Sequence, residues 1–381
     1  MVLEQAGLLR CPSQVTGAQG PELEIDGRPV VCLCSNNYLG LAAHPELVAA
    51  ARASLDEDGL GAAASRLITG TMEAHREAEA ALAGFVGAAD AALFSSGYAA
   101  NLGAIQALTG PRDLLFSDAL NHASLIDGCR LSRARVHVYR HADPDHLESL
   151  LREHRAGGER AMILTDSLFS MDGDAAPLAE LSDLAQRFDA ALFVDEAHAL
   201  GVLGPCGRGL CASVDLRPDI LIGTLGKSFG VAGAFVAASE EAVSLVRNRA
   251  RSFVYSTAPP PLVARAARAA IPLVEGADEA RRQLLSHASR LRRELRTLGF
   301  DVPEGQSQIL PVLIGDNDRT MQASAKLLDR GVFVQGIRPP TVPVGTARLR
   351  LTPMATHRKE HIDRAVAAFA TLAQDGEEAS T

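Results

Sequence analysis

A carboxylate closing the apolar run LFVD and an amine set in TLGKSFG, Asp195 and Lys227, are the two residues in this sequence best suited to joint chemistry. Each stands where a strand-like run gives way to small residues, and ligands of open α/β sheets gather at strand ends. A buried aspartate needs a cation to justify its charge. A lysine among apolar residues and glycines gives up its proton more easily and becomes a nucleophile. Gly223, Gly226 and Gly230 around Lys227 are expected to clear side chains away and let backbone approach a ligand. One small molecule uses both groups: pyridoxal phosphate, whose aldehyde forms a Schiff base with lysine and whose ring nitrogen is kept protonated by a carboxylate. GTLGKS also approaches a phosphate-binding P-loop, but that pattern needs glycine where Leu221 stands and a helix where SFGVAGAFV follows. A structural ion pair between Asp195 and Lys227 is the plainer alternative.

Other groups fit around such a cofactor. Ser96, Gly97 and Tyr98 follow a strand-like run and open a helical one, so their N–H groups suit a phosphate. Thr224, just before Lys227, offers a hydroxyl to the same phosphate. His122 begins another helix and can stack on a pyridine ring, while His198, in DEAH, can hydrogen-bond beside the partner of the ring nitrogen or move a proton. Arg348 and Arg350 alternate on one strand and can clamp a substrate carboxylate. The histidines of HVYRHADPDHLESLLREH lack the spacing of a metal site, and Asp143-Pro144 reads as a helix start.

The balance of 37 basic and 46 acidic residues, net −9, gives no basic footprint for nucleic acid. No run of apolar residues is long enough for a membrane span and no secretory signal is visible, so a cytoplasmic protein is expected. Six cysteines at irregular spacing suggest neither a disulfide framework nor a zinc site.

These residues need a scaffold, and from residue 72 helical and strand-like segments alternate. Helices are expected at 72–86, 98–109, 123–131, 144–155 and 177–187. Strands are expected at 92–96, 114–117, 136–139, 161–166, 191–195, 219–224 and 234–239. That alternation predicts an α/β fold with a mostly parallel sheet covered on both faces. A hairpin at Asp26-Gly27 and a helix from Pro45 precede it. After Pro259-Pro260-Pro261 come helices 262–275 and 277–298, strands 308–314, 331–336 and 347–352, and helices 319–330 and 357–373, before a polar tail. The expected division is an N-terminal arm over 1–35, a large cofactor-binding domain over 36–260 and a smaller α/β domain over 261–381.

SNNYLGL (35–41), SRLITG (65–70), SSGYAAN (95–101), NHASL (121–125), SMDGD (170–174), DEAH (195–198), TLGKSFG (224–230), YST (255–257) and IRPPTVPVGTARLRLT (337–352) together resemble the α-oxoamine synthases, fold-type I pyridoxal phosphate enzymes. The resemblance covers nearly the whole chain from Leu9. It implies that Lys227 carries the cofactor, Asp195 pairs with the ring nitrogen, His122 stacks on the ring, and Ser170 and His198 bond near its hydroxyl. It also implies that the Gly97 and Tyr98 amides and Thr224 hold the phosphate, with Thr257 supplied by the second subunit of a homodimer. Asn36 and Arg350 match positions for the amino acid carboxylate, and Arg10 an arginine near the acyl channel. The segment 337–352 is most similar to the branch that joins L-alanine to a pimeloyl thioester, on coenzyme A or a carrier protein, in biotin synthesis. Branches that use glycine or serine with other acyl thioesters are the alternative.

Overall fold

The computed structural model describes residues 8–378, with side chains through 375. The chain starts with three short strands, β1 (Val15–Thr16), β2 (Glu22–Ile25) and β3 (Arg28–Cys32). The expected hairpin joins β2 to β3: Asp26 and Gly27 have φ of 49° and 78°, the left-handed pair that a two-residue turn requires. Seven strands follow, β4 (Asp90–Phe94), β5 (Leu114–Asp118), β6 (Arg135–Tyr139), β7 (Ala161–Asp166), β8 (Ala190–Asp195), β9 (Ile220–Thr224) and β10 (Ala234–Ala238). The last four are β11 (Leu310–Gly315), β12 (Val332–Phe333), β13 (Gln335–Ile337) and β14 (Ala347–Leu351).

The chain divides into two compact units. The larger, residues 44–169 and 175–278, holds the seven-stranded sheet in the order β4-β10-β9-β8-β7-β5-β6. β5 to β9 pair in parallel and only β10 is reversed, so β4, beyond it, runs with the rest. The reversal has a simple cause. A parallel crossover needs a dozen or more residues and a helix, whereas β9 reaches β10 through the helix-free loop 225–233. Both faces are covered, as the hydrophobic runs predict. Leu115, Leu164, Phe193 and Ile222 enter one core with the helices Gly97–Leu108, Ala123–Leu131 and Glu240–Arg249. Their neighbours Leu114, Phe116, Ile163 and Val194 enter another with Pro144–His154 and Leu178–Arg187.

Glu240–Arg249 and the short helix Arg251–Val254 were not expected from the sequence. Their signal was there: Ser239 caps the first by accepting from the Ala242 N–H at 3.2 Å, with Glu240 and Glu241 in its opening turn. Gly223 also differs from expectation. A Cβ there would strike the Phe235 ring and Leu200, so this glycine serves packing inside the sheet and does not open a path to a ligand.

The smaller unit gathers residues through 43, 170–174 and 279 onward. Its division from the larger falls at 278/279 and not near 260, because Pro261–Glu275 packs on the helices Pro45–Glu57 and Glu73–Val86. The arm joins this unit as a working part: β3 pairs in parallel with β12, forming the sheet β1-β2-β3-β12. The strand expected over 331–336 breaks at Val334, so that β12 serves this sheet and β13 serves a second, β11-β14-β13. Leu291, Leu295, Val312, Leu349, Ile362 and Phe369 fill the core beneath. The last helix runs Lys359–Glu378, past the expected end, and the final tail residues 379–381 lie outside the described part. No helix among the described residues is long and apolar enough to cross a membrane.

Candidate active site

Parallel strands bring their C-terminal ends to one edge of the larger unit, and the predicted residues of that unit gather there. Asp195 ends β8 and is 4% exposed. Its Oδ2 accepts from Asn101 Nδ2 at 2.7 Å and its Oδ1 from the Ala197 N–H at 2.9 Å. The carboxylate is thus buried and oriented, and a positive group beside it would justify its charge. Asn101 is itself 1% exposed and also donates to Ser124 Oγ at 2.8 Å.

Lys227 lies in the loop between β9 and β10. That loop is fastened twice: the Leu225 N–H donates to Gly233 O and the Val231 N–H to Leu225 O, each at 2.9 Å. The Gly230 N–H closes a turn on Lys227 O at 3.0 Å, with Gly230 at a φ of 68° that favours glycine. No helix follows Lys227, which removes the P-loop reading. His122, at the start of helix Ala123–Leu131, lies within electrostatic range of both Asp195 and Lys227. Desolvation by the walls around it lowers its pKa, Lys227 adds to the drop and Asp195 opposes it. The residue remains open on its solvent side, which limits the desolvation.

Ser96 caps the helix Gly97–Leu108, accepting from the Ala99 N–H at 3.1 Å. The Gly97 and Tyr98 N–H groups belong to the unpaired first turn. A Cβ built on Gly97 would meet only Thr224 Oγ1, at 4.0 Å, so the helix start and the Thr224 hydroxyl border the same small space. That is a seat for an anion. Tyr98 keeps its ring exposed and donates its hydroxyl to Asp127 Oδ2 at 2.5 Å. His198 is 6% exposed in the turn after β8. Thr257 is exposed, in a bridge with Ser65 that lays the segment 255–258 beside 64–68. The edge thus carries a lysine, a buried carboxylate, an imidazole and an anion seat, the set that pyridoxal phosphate requires.

The remaining predicted residues belong to the smaller unit. Arg350 on β14 is 6% exposed and donates to Asn36 Oδ1 at 3.2 Å, Tyr38 Oη at 3.4 Å and Ser170 O at 2.5 Å. It has no carboxylate partner among the described residues. Arg348, by contrast, is taken by Asp172 in an ion pair, so only one of the two strand arginines is left for a substrate. Arg10 is exposed and donates to Thr341 Oγ1 at 3.1 Å. It rims a cavity of about 670 Å³ whose wall includes Val15, Phe333, Ile337 and the buried Arg338.

Several residues that shape the site escaped the sequence reading. Asn101 closes the motif SSGYAAN but reads as one polar residue in an alanine-rich helix. Asp166 ends AMILTD just as Asp195 ends LFVD, and the same signal marked both. Glu196 is fully buried and accepts from Ser167 Oγ at 2.7 Å and from the Leu210 and Cys211 N–H groups at 3.1 and 2.6 Å, securing the loop beside Asp195. The histidine-rich stretch has structural work: His137 stacks between Phe116 and His154, with ring centroids 5.2 and 4.1 Å away, and His141 bonds Asp118.

The family model for aminotransferase class I and II matches residues 28–369. The chain is 51% identical to 8-amino-7-oxononanoate synthase of Geobacter sulfurreducens over 98% of its length and 96% of the relative's. It is 50% identical to the protein of the same name from Geotalea daltonii, covering 97% and 95%. Among solved structures it superposes on serine palmitoyltransferase from S. paucimobilis, bound to a PLP–myriocin aldimine, with a TM-score of 0.94, 32% identity and coverage of 98% and 95%. It also superposes on 8-amino-7-oxononanoate synthase from Francisella tularensis with a TM-score of 0.78, 26% identity and coverage of 91% and 99%. The chain belongs to the aminotransferase class I and II family, in its α-oxoamine synthase branch.

Proposed function

We propose that this protein condenses L-alanine with a pimeloyl thioester, on coenzyme A or a carrier protein, and releases 8-amino-7-oxononanoate, carbon dioxide and the free thiol for biotin synthesis. The observation that carries this reading is identity of about half, over almost the whole chain, with proteins named for that product. Pyridoxal phosphate supplies the electron sink that makes a carbanion at the amino acid's Cα accessible.

The chain's own groups then divide the work. Lys227 Nζ would hold the cofactor and, when free, would take and return the Cα proton of the amino acid. Asp195 would keep a proton on the ring nitrogen, with Asn101 fixing the carboxylate plane. His122 would pack on the ring, and His198 and Ser170 would bond its hydroxyl. Ser96, the Gly97 and Tyr98 N–H groups and Thr224 would hold the phosphate. Arg350 and Asn36 grip the alanine carboxylate until it leaves as carbon dioxide, and Arg10 contacts the acyl thioester.

The active form in this reading is a homodimer, with Thr257 of each copy completing the other's phosphate seat. Leu60, Ile68 and Tyr255 are each about three-quarters exposed, with 76%, 76% and 74% of their surface open. The Ser65–Thr257 bridge sets Ile68 and Tyr255 on neighbouring segments, an apolar patch that a second copy would cover.

Release of labelled carbon dioxide from carboxyl-labelled alanine tests the reading. It must depend on pimeloyl thioester and fall away with acetyl or palmitoyl thioesters, or with glycine or serine in place of alanine. Retention of the label with appearance of the keto acid would make the protein an aminotransferase instead. Preference for glycine with an acetyl thioester would move it to another branch.

A further inference from the structure

Two carboxyls, not one, end strands at the site. Asp166 closes β7, and it is the ladder partner of Asp195 on β8. It is 4% exposed. Its Oδ2 accepts from the His122 N–H at 2.7 Å. Its own N–H donates to Asn121 Oδ1 at 2.9 Å, while Asn121 Nδ2 donates to Leu164 O at 2.8 Å and Ser117 Oγ at 2.9 Å. The residue pair Asn121-His122 is thereby laced to β7 by side chain and main chain together. Ser124 Oγ, in contact with His122 Nδ1 at 2.7 Å, receives Asn101 Nδ2, which also holds Asp195. One continuous network therefore runs from Asp166 through His122 to Asp195.

We propose that Asp166 is a positioning residue, which sets the His122 imidazole against the cofactor ring by anchoring the backbone that carries it. This rests on the pyridoxal phosphate reading of the site but not on the identity of the acyl substrate. The two carboxyls differ in what supports a charge: Asp195 accepts from two donors, Asp166 side chain from the His122 amide. Burial and the neighbouring Asp195 push the Asp166 carboxyl well above the ordinary carboxylate range, against the His122 amide and Lys227, which favour its ionised form. Asp118 on β5 and Tyr139 on β6 also face it, and Asp118 acts in the same direction as Asp195.

The test compares Asp166→Asn and Asp166→Ala in the full-length holoenzyme. Asparagine keeps an oxygen for the His122 amide, so cofactor affinity should stay within about threefold. Alanine removes the anchor, so affinity should fall about tenfold, and the NMR titration of His122 in the cofactor-free protein should shift, with Asn restoring both. An Asp166→Asn protein whose cofactor affinity falls as far as that of the alanine variant would show that the carboxyl acts by something other than the anchor, and would overturn the assignment. An Asp166→Ala protein with unchanged affinity and unchanged His122 titration would overturn it equally. Should the alanine variant not fold, hydrogen exchange at the His122 amide of wild type and Asp166→Asn decides: protection in both supports the assignment, and exchange as fast as in an open loop in wild type refutes it. Failure of wild type to bind pyridoxal phosphate at all would remove the site reading itself, a distinct result.

Discussion

Gly97 offers a separation of folding from binding that few positions allow. It lies at the first position of helix Gly97–Leu108, its φ is not in the left-handed region, and an added Cβ would meet nothing closer than Thr224 Oγ1 at 4.0 Å. Gly97→Ala therefore fits the fold, and restricting the unfolded chain should stabilise the protein by about 0.4–1 kcal/mol. The same methyl would stand in the space between the helix start and the Thr224 hydroxyl. Losing one charge-assisted hydrogen bond to phosphate costs about 1.5–3 kcal/mol, so pyridoxal phosphate should bind about tenfold to a hundredfold more weakly. Gly103, in the same helix, is the control: its Cβ would collide with Ser252 and Phe94, so Gly103→Ala should cost about 1–3 kcal/mol of stability through overpacking. Urea unfolding of cofactor-free protein and titration of cofactor absorption measure the two quantities separately. If Gly97→Ala binds the cofactor as tightly as wild type, the helix start is not the phosphate seat. If it is strongly destabilised, the space beside Thr224 has been misread.

Removing the amide that orients Asp195, Asn101→Ala, deletes a bond to a charged group and should lower stability by about 2 kcal/mol and weaken cofactor binding, checked by the same two titrations. Arg350→Lys keeps the charge but loses the planar fork, so the alanine KM should rise about tenfold or more while cofactor absorption stays unchanged. Lys227→Ala should still bind pyridoxal phosphate, resist trapping by borohydride and lose turnover; normal turnover would remove Lys227 from the chemistry. His357, fully buried in the smaller unit, has its pKa lowered by burial to about 4 from 6.5. The unfolded chain then binds the extra proton between those values, so stability falls as pH drops through that window, by roughly 3 kcal/mol in all. His357→Gln should flatten the dependence of urea midpoints on pH over the same range.

The larger unit was legible because its strands are short apolar runs punctuated by glycine and polar turns, and its helices carry visible starts. The reversal of β10 was not read, although the lack of a helix between Thr224 and Ala234 implied it. The boundary near 260 followed a run of prolines, yet those prolines begin a helix that stays with the larger unit. The chemistry of Asp195 and Lys227 was readable from residue type and flanking pattern. The supporting polar network was not, since Asn101, Asn121 and Asp166 act through partners 94, 43 to 45 and 44 positions away, and no local pattern records such pairings. Arg348 and Arg350 show the same limit: period-two alternation made them equivalent, and only the position of Asp172 distinguishes them.

The loop carrying Lys227 is stitched shut by two main-chain bonds at its base, between neighbouring antiparallel strands. A nucleophile mounted in this way moves only as far as its own side chain allows, since the backbone beneath it cannot swing without unzipping the sheet. Divergence toward new substrates in such a scaffold must then come from the walls around the amine, because lengthening its mount would shift the reacting atom itself.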